Sequence, residues 1–225
     1  VDCNVIATGS KGNAVVLSGC YLFDCGVTIS RLDKVLPKLR AVFLTHIHGD
    51  HFNRRTIKTI HRRRPTVYFV CARHLLVPLC GECGIDPTNV ILCQPGVPRR
   101  LCWGDEAIEF QCIDLIHDVE NVGWVVKAES GAVPETALYA TDTQYIPMDV
   151  PELDLYMVER NYRADELMER RERKIAAGQY AYEDKVVRCH MSARTIDAWL
   201  SRNARSWSEV VFLHQHVHMD REETQ

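Results

Sequence analysis

The chain has 225 residues, a formal net charge of −3, and 46% hydrophobic and 25% charged residues, the balance of an ordinary globular protein long enough to bury a sizeable core. No run of about 18 apolar residues occurs, which excludes a membrane-spanning helix, and the mildly acidic balance does not by itself mark a nucleic-acid binder. The opening Val1-Asp2-Cys3-Asn4-Val5-Ile6 has no basic stretch leading into an apolar one, so a cytoplasmic location without a signal peptide is expected.

In chain order, apolar runs predict strands over 5–8, 14–17 and 21–24, a helix over 30–38 and a buried strand over 41–45. A helix over 53–63, a strand over 67–71, a helix over 72–80 and a strand over 90–93 complete the first half. The second half reads as strands over 107–113, 123–128, 137–140 and 153–158, a helix over 163–177, a helix over 192–203 and a strand over 210–213. Gly178 can close one helix in a left-handed conformation, and Ser192 can cap the start of another. Many strands with helices on either side predict two sheets face to face inside helical layers. With no repeat and no linker, residues 1–225 are read as one domain.

Ten cysteines do not call for disulfides in a chain of this size. Cys3, Cys25, Cys71, Cys93, Cys102 and Cys112 lie in or beside apolar runs, where a thiol behaves as a small hydrophobe. Cys80-Gly81-Glu82-Cys83 has the spacing of a metal clip but lacks a second pair, so it is not read as a zinc site. Basic residues form two groups: Arg54, Arg55, Lys58, Arg62, Arg63 and Arg64, and Arg170, Arg171, Arg173 and Lys174.

The chemistry centres on Thr45-His46-Ile47-His48-Gly49-Asp50-His51. An H-x-H-x-D-H order arises by chance in such a chain about once in a thousand. The histidines emerge where the predicted strand 41–45 gives way to a loop. Side chains two apart on an extended chain share a side, so His46 and His48 can grip one ion. A turn at Gly49 then sends Asp50 and His51 towards a second. Imidazole and carboxylate donors suit zinc, iron or manganese. His117, Asp142 and His214 each follow another strand-like run, at the exits where α/β folds build their sites.

The order of Asp24 (in Leu22-Phe23-Asp24-Cys25-Gly26), the H-x-H-x-D-H segment, His117, Asp142 and His214 resembles the five-motif pattern of the metallo-β-lactamase superfamily. The resemblance implies an α/β fold, a four-layer αββα sandwich, with two divalent metal ions at one sheet edge, Zn2+ first and Mn2+ as the alternative. By that pattern His46, His48 and His117 hold the first ion, Asp50, His51 and His214 hold the second, Asp142 bridges them, and Asp24 orients a ligand loop from behind. Thr8-Gly9-Ser10-Lys11-Gly12-Asn13 is similar to the T-G-S-x-G-N opening of the small YycJ-type branch, which is linked to DNA exonuclease activity. Glu159-Arg160-Asn161-Tyr162 and Cys189-His190-Met191-Ser192 resemble its E-x-N-[YH] and G-H-L-S segments. The ending departs from the branch: His-Leu-Ser becomes His214-Gln215-His216, which leaves His216 as a rival to His214.

The resemblance thus implies a metal-dependent phosphodiesterase or nuclease acting on DNA, with a metal-bridging hydroxide as nucleophile. Asp50, Asp142 and His190 are the expected catalytic groups, and Ser10, Asn13, Asn161 and His190 the expected substrate contacts. His190 could instead only cap the region of Ser192, and Gly9, Gly12 and Asn13 could form a plain turn or offer N–H groups to phosphate. Rival readings are hydrolysis of a cyclic nucleotide, thioester or lactone on the same fold, or a non-catalytic binding protein. His61 and His74 lie outside every motif and are expected at the surface or in packing.

Overall fold

The computed structural model describes residues 2–129 and 135–215. Strands β1 (Cys3–Ala7), β2 (Ala14–Leu17), β3 (Tyr21–Phe23), β4 (Ala41–Phe43), β5 (Tyr68–Ala72) and β6 (Val90–Cys93) form one sheet in chain order. It is antiparallel from β1 to β3 and parallel from β3 to β6. The second sheet contains β7 (Arg99–Trp103), β8 (Glu106–Leu115), β9 (Asn121–Glu129), β10 (Glu135–Ala140), β11 (Leu155–Glu159) and β12 (Glu209–Leu213). It follows the same scheme, antiparallel from β7 to β10 and parallel from β10 to β12.

Alternation along the strands decides the layers. Leu17, Phe23 and Phe43 on one sheet meet Phe110, Trp124, Tyr139 and Met157 on the other in a central core. The opposite parity of the first sheet, Val16, Leu22, Val42 and Phe69, packs against Ile57 and Ile60 of α1 (Arg54–Arg63). On the far side Leu138, Tyr156 and Val158 pack with Ile196, Trp199 and Leu200. Those residues belong to α4 (Ala193–Asn203), which follows α2 (Ala164–Ala176) and α3 (Glu183–Cys189). The result is the expected αββα sandwich. Phe43 is its hub, with ring centroids 5.0 Å from Phe23, 5.2 Å from Phe110 and 5.4 Å from Trp124. Truncating it to alanine is expected to cost about 3–5 kcal/mol.

The helix ends obey local chemistry. Asn53 Oδ1 accepts from Thr56 N at 3.1 Å to start α1, and Ser192 Oγ accepts from Thr195 N at 3.1 Å to start α4. Gly178, at φ 68°, ends α2, where Gly178 N donates to the Ile175 carbonyl and Gln179 N to the Lys174 carbonyl.

Every expected strand is present, with ends shifted by one or two residues, whereas two expected helices are not regular. Residues 30–38 form two 3₁₀ turns, Ile29–Leu32 and Leu36–Lys38, because Pro37 lacks an N–H and disfavours the α conformation at Leu36. Residues 72–80 become a 3₁₀ turn, Arg73–Leu75, that widens into a π turn at Pro78–Glu82, closed by Cys83 N on the Pro78 carbonyl. Strand β7 and helix α3 were not expected, since neither carries a clean apolar period. All ten cysteines are free thiols. Cys102 is exposed rather than core-like, because it faces away from Leu101 and Trp103 on an edge strand.

Candidate metal centre

Strands β3, β4, β10, β11 and β12 run parallel within their sheets and end at one edge of the sandwich. Strand β8 ends there too, because two antiparallel steps through β9 restore the direction of β10. The predicted donors therefore converge although they are far apart in sequence.

On the first sheet the exit of β3 is Asp24, buried and in a left-handed conformation at φ 56°. Its carboxylate accepts from Thr45 N at 3.0 Å, Thr45 Oγ1 at 2.9 Å, Tyr139 OH at 2.9 Å and His51 Nδ1 at 2.6 Å. A carboxylate out of water is costly unless so bonded, and here it ties the histidine loop to the opposite sheet. With its hydroxyl proton on Asp24, Thr45 accepts from His46 Nδ1 at 3.0 Å, leaving His46 Nε2 unprotonated. Burial, then the neighbouring His51, holds His46 far below its ordinary imidazole pKa, in the neutral form a metal requires.

The loop itself is clamped. Asn13 N donates to the Asp50 carbonyl at 2.6 Å, Cys25 N to the His51 carbonyl at 2.8 Å and Asn53 N to the Cys25 carbonyl at 2.9 Å. Gly26 is required there, since a Cβ would collide with the Asp50 carbonyl. His46 Nε2 then lies 3.1 Å from His48 Nδ1, which lies 3.3 Å from His117 Nε2. His117 Nδ1 faces the Cys189 carbonyl at 3.1 Å, which fixes that ring's tautomer.

On the second sheet Asp142 and His214 are also left-handed, at φ 52° and 48°. Such residues each carry about 1–3 kcal/mol of strain and persist only where neighbours enforce them. Asn121 Nδ2 donates to the Asp142 carbonyl at 2.7 Å, Asn161 Nδ2 donates to the His214 carbonyl at 2.8 Å, and His214 N donates to Thr8 Oγ1 at 2.7 Å. Asp142 Oδ1 lies 2.6 Å from His214 Nδ1 and 3.2 Å from His190 Nδ1, and Oδ2 abuts His51 Nε2. Glu159, wholly buried at the end of β11, accepts from His190 Nδ1 at 2.6 Å and Thr143 N at 3.0 Å.

The electrostatics describe a buried carboxylate kept ionised by its imidazole neighbours. Burial pushes Asp142 up, but the His51 and His214 imidazoles hold it well below the usual carboxylate range. Burial likewise opposes the His51 cation, yet Asp142 and then Asp24 lift its pKa well above the ordinary value. Asp142 Oδ2 and His214 Nδ1 are nevertheless buried without an aligned hydrogen bond. Three imidazole nitrogens, His46 Nε2, His48 Nδ1 and His117 Nε2, also converge at the site. Donors so arranged fit divalent cations. His46, His48 and His117 bring ligand atoms within 4.8 Å of one another, as do His46, His51 and Asp142, and Asp142, Glu159, His190 and His214. His46 and Asp142 each belong to two of these groups, so adjacent cation positions share a wall.

Among the other expected residues, Asp50 Oδ2 stands 3.7 Å from His51 Nε2, and His216 lies outside the described residues. Ser10 is exposed. Asn13 is buried: its Oδ1 accepts from Gly9 N at 2.8 Å, and its Nδ2 lies 2.7 Å from His51 Nε2. The N–H groups of Gly9, Gly12 and Asn13 are all taken within the chain, so that segment is a tight turn. Asn161 serves the His214 backbone from a buried position. The sequence reading gave no site role to Glu159, named there only within the E-x-N-[YH] segment, to Tyr139 or to Asp118, the last 3.2 Å from His117 Nε2 and held by Lys185 at 2.9 Å. His74, assigned to surface or packing, supports the motif through Nε2 on the Thr45 carbonyl at 3.0 Å. Of these, Glu159 carried a signal, as the acid of the E-x-N-[YH] segment at the close of an apolar strand.

A family model described as the beta-lactamase superfamily domain matches residues 21–223. A search of curated proteins finds no match. Among solved structures, the metallo-beta-lactamase fold protein YhfI from Bacillus subtilis is 18% identical with a TM-score of 0.61, over 95% of this chain and 85% of that one. Human tRNase Z, short form, is 17% identical with a TM-score of 0.62, over 96% and 93%. A diphosphatase of the PhnP family is 14% identical with a TM-score of 0.56, over 95% and 85%. The chain belongs to the beta-lactamase superfamily, in its metallo-β-lactamase fold.

Proposed function

We propose that this superfamily member is a divalent-metal-dependent phosphodiesterase that acts on nucleic acid, DNA first and from strand ends in the manner of the YycJ-type branch. The carrying observation is the pair of buried Glu159 and half-buried His190 set against Asp142, opposite the three-histidine group. His46, His48 and His117 would hold one ion and Asp50, His51 and His214 the other, with Asp142 contributing to both. Zn2+ or Mn2+ bound there supplies Lewis acidity towards phosphoryl oxygens and makes water acidic enough to serve as a nucleophile near neutral pH. Glu159 fixes the Nδ1–H of His190, which leaves Nε2 to face substrate and deliver a proton to the departing alkoxide, an oxygen too basic to leave unaided. Ser10, exposed in the β1–β2 turn, would contact the substrate. The T-G-S-x-G-N opening and the names of two fold neighbours, a tRNase Z and a diphosphatase, support phosphate chemistry over a lactone or thioester.

The test is turnover of end-labelled single- and double-stranded DNA by metal-free protein with and without zinc or manganese, beside a His48→Ala control. Metal-dependent cleavage that the control lacks supports the reading. Intact, metal-loaded protein that leaves all DNA uncut while opening a thioester or lactone overturns it. Unchanged turnover in His190→Ala removes the proton-donor role.

A further inference from the structure

The two basic groups meet different fates in the fold. On α2, Arg170 and Lys174 pair with buried Glu183 at 3.0 and 2.7 Å, and Arg171 pairs with Asp184 at 2.9 Å, so most of that charge is spent joining α2 to α3. On α1, Arg54 pairs with Glu82 at 2.6 Å and Arg63 with Asp33 at 3.8 Å. Arg64, just beyond the helix, donates to the Leu36 carbonyl at 3.0 Å. The side chains of Arg55, Lys58 and Arg62 are exposed and make no ion pair or hydrogen bond among the described residues. Their spacing of three and four puts them on one helix face, over about 10 Å at 1.5 Å per residue.

We propose that Arg55, Lys58 and Arg62 form a track for the phosphate backbone of a nucleic-acid strand, holding the part of the substrate that lies beyond the bond being cut. The proposal rests on the nucleic-acid reading above. Its physical basis is continuity: α1 starts three residues after His51, its cap Asn53 is bonded to the Cys25 carbonyl, and the bridge between Cys25 and Phe52 fixes the junction. The track is therefore rigidly attached to the candidate metal centre. Two further exposed cations without a side-chain bond among the described residues, Lys11 in the β1–β2 turn and Arg73 at the exit of β5, lie at the same sheet edge. An anionic membrane is the less suitable partner, because the apolar residues of α1, Ile57 and Ile60, are buried in the core and leave nothing to enter lipid.

The test compares the wild type with R55E/K58E/R62E and, as a control for charge alone, R173E on α2. Equilibrium binding of a labelled 20-nucleotide strand is followed by anisotropy against salt, in EDTA so that no turnover is needed. Metal-loaded hydrolysis of bis(p-nitrophenyl) phosphate, too short to reach the track, is measured in parallel. The track predicts roughly 10–100-fold weaker strand binding at moderate salt, with a salt slope shallower by about 2 for three lost contacts. R173E and the small-ester turnover should stay within about twofold of wild type. Unchanged strand affinity in the triple variant overturns the track, as does selective loss of binding to phosphatidylserine vesicles instead. Failure of the wild type to hydrolyse any phosphodiester, with strand binding still track-dependent, instead overturns the catalytic reading and leaves a binding surface. A folded triple variant, shown by an unchanged melting curve, is the condition for each comparison.

Discussion

The two sheets supply the site in opposite ways. The first delivers Asp24, His46, His48, Asp50 and His51 from two neighbouring strand exits, locked by backbone hydrogen bonds and one buried carboxylate. The second delivers His117, Asp142, Glu159 and His214 from four separate strand exits, joined by His190 from the end of α3, each steadied by a different anchor. One half is a clamp that a short stretch of chain nearly builds for itself; the other exists only once four strands have been brought into register. Damage to the first half should therefore show mainly as lost stability, and damage to the second as misplaced chemistry.

Two substitutions test that contrast at the donors themselves. Asp142→Ala and His48→Ala are both expected to lower metal-dependent turnover by about a thousandfold or more. They should differ in metal content by elemental analysis: Asp142 touches two donor groups and His48 one, so D142A should lose more metal. Equal metal loss in both variants would break the shared-wall picture. One step behind the donors, Asp24→Ala strands Tyr139, Thr45 and His51, and should destabilise the fold by about 3–5 kcal/mol in denaturant melts. Asn161→Ala removes only one bond to the His214 carbonyl, so about 1 kcal/mol should go, while turnover falls about 10–100-fold. A reversed pattern would mean that the second sheet, not the first, holds the structure together.

The pH response sharpens the comparison further in metal-free protein. Burial opposes the His190 cation, but hydrogen bonds to Asp142 and Glu159 raise its pKa from 6.5 to about 10. A raised folded pKa stabilises the protonated form, so that contribution is complete below pH 6.5 and disappears as pH climbs through about 10. Asp142 has the opposite sign: its depressed pKa stabilises the fold above the ordinary carboxylate value and fails as acid protonates it. The melting temperature in EDTA should therefore decline from pH 6.5 to 10, and added metal should offset the decline, since metal binds better as protons leave. A flat profile in EDTA would show that these pairs are not formed without metal. The smallest effect belongs to Ser10→Ala, exposed in its turn, where a change in KM beyond about twofold would mark a direct substrate contact.

The sequence alone determined every strand but β7, the two-sheet layering and the clustered half of the site, because these are encoded locally. Alternation fixes which side chains of β2, β3 and β4 face the core, and a two-residue spacing puts His46 and His48 on one side of the chain. Proline likewise told against regular helices at Pro37 and Pro78, a signal that hydrophobic periodicity overlooked. Only the tertiary structure decided that Glu159 takes His190, 31 positions away, that Tyr139 reaches Asp24 across 115, and that His117 rests on the Cys189 carbonyl. It also decided which of two similar basic runs stays free, since Glu183 and Asp184 reach α2 while no carboxylate among the described residues reaches Arg55, Lys58 or Arg62. Composition counts charges and periods; strand order and register choose partners, and a buried or ion-paired group acquires its character from the partner it is given.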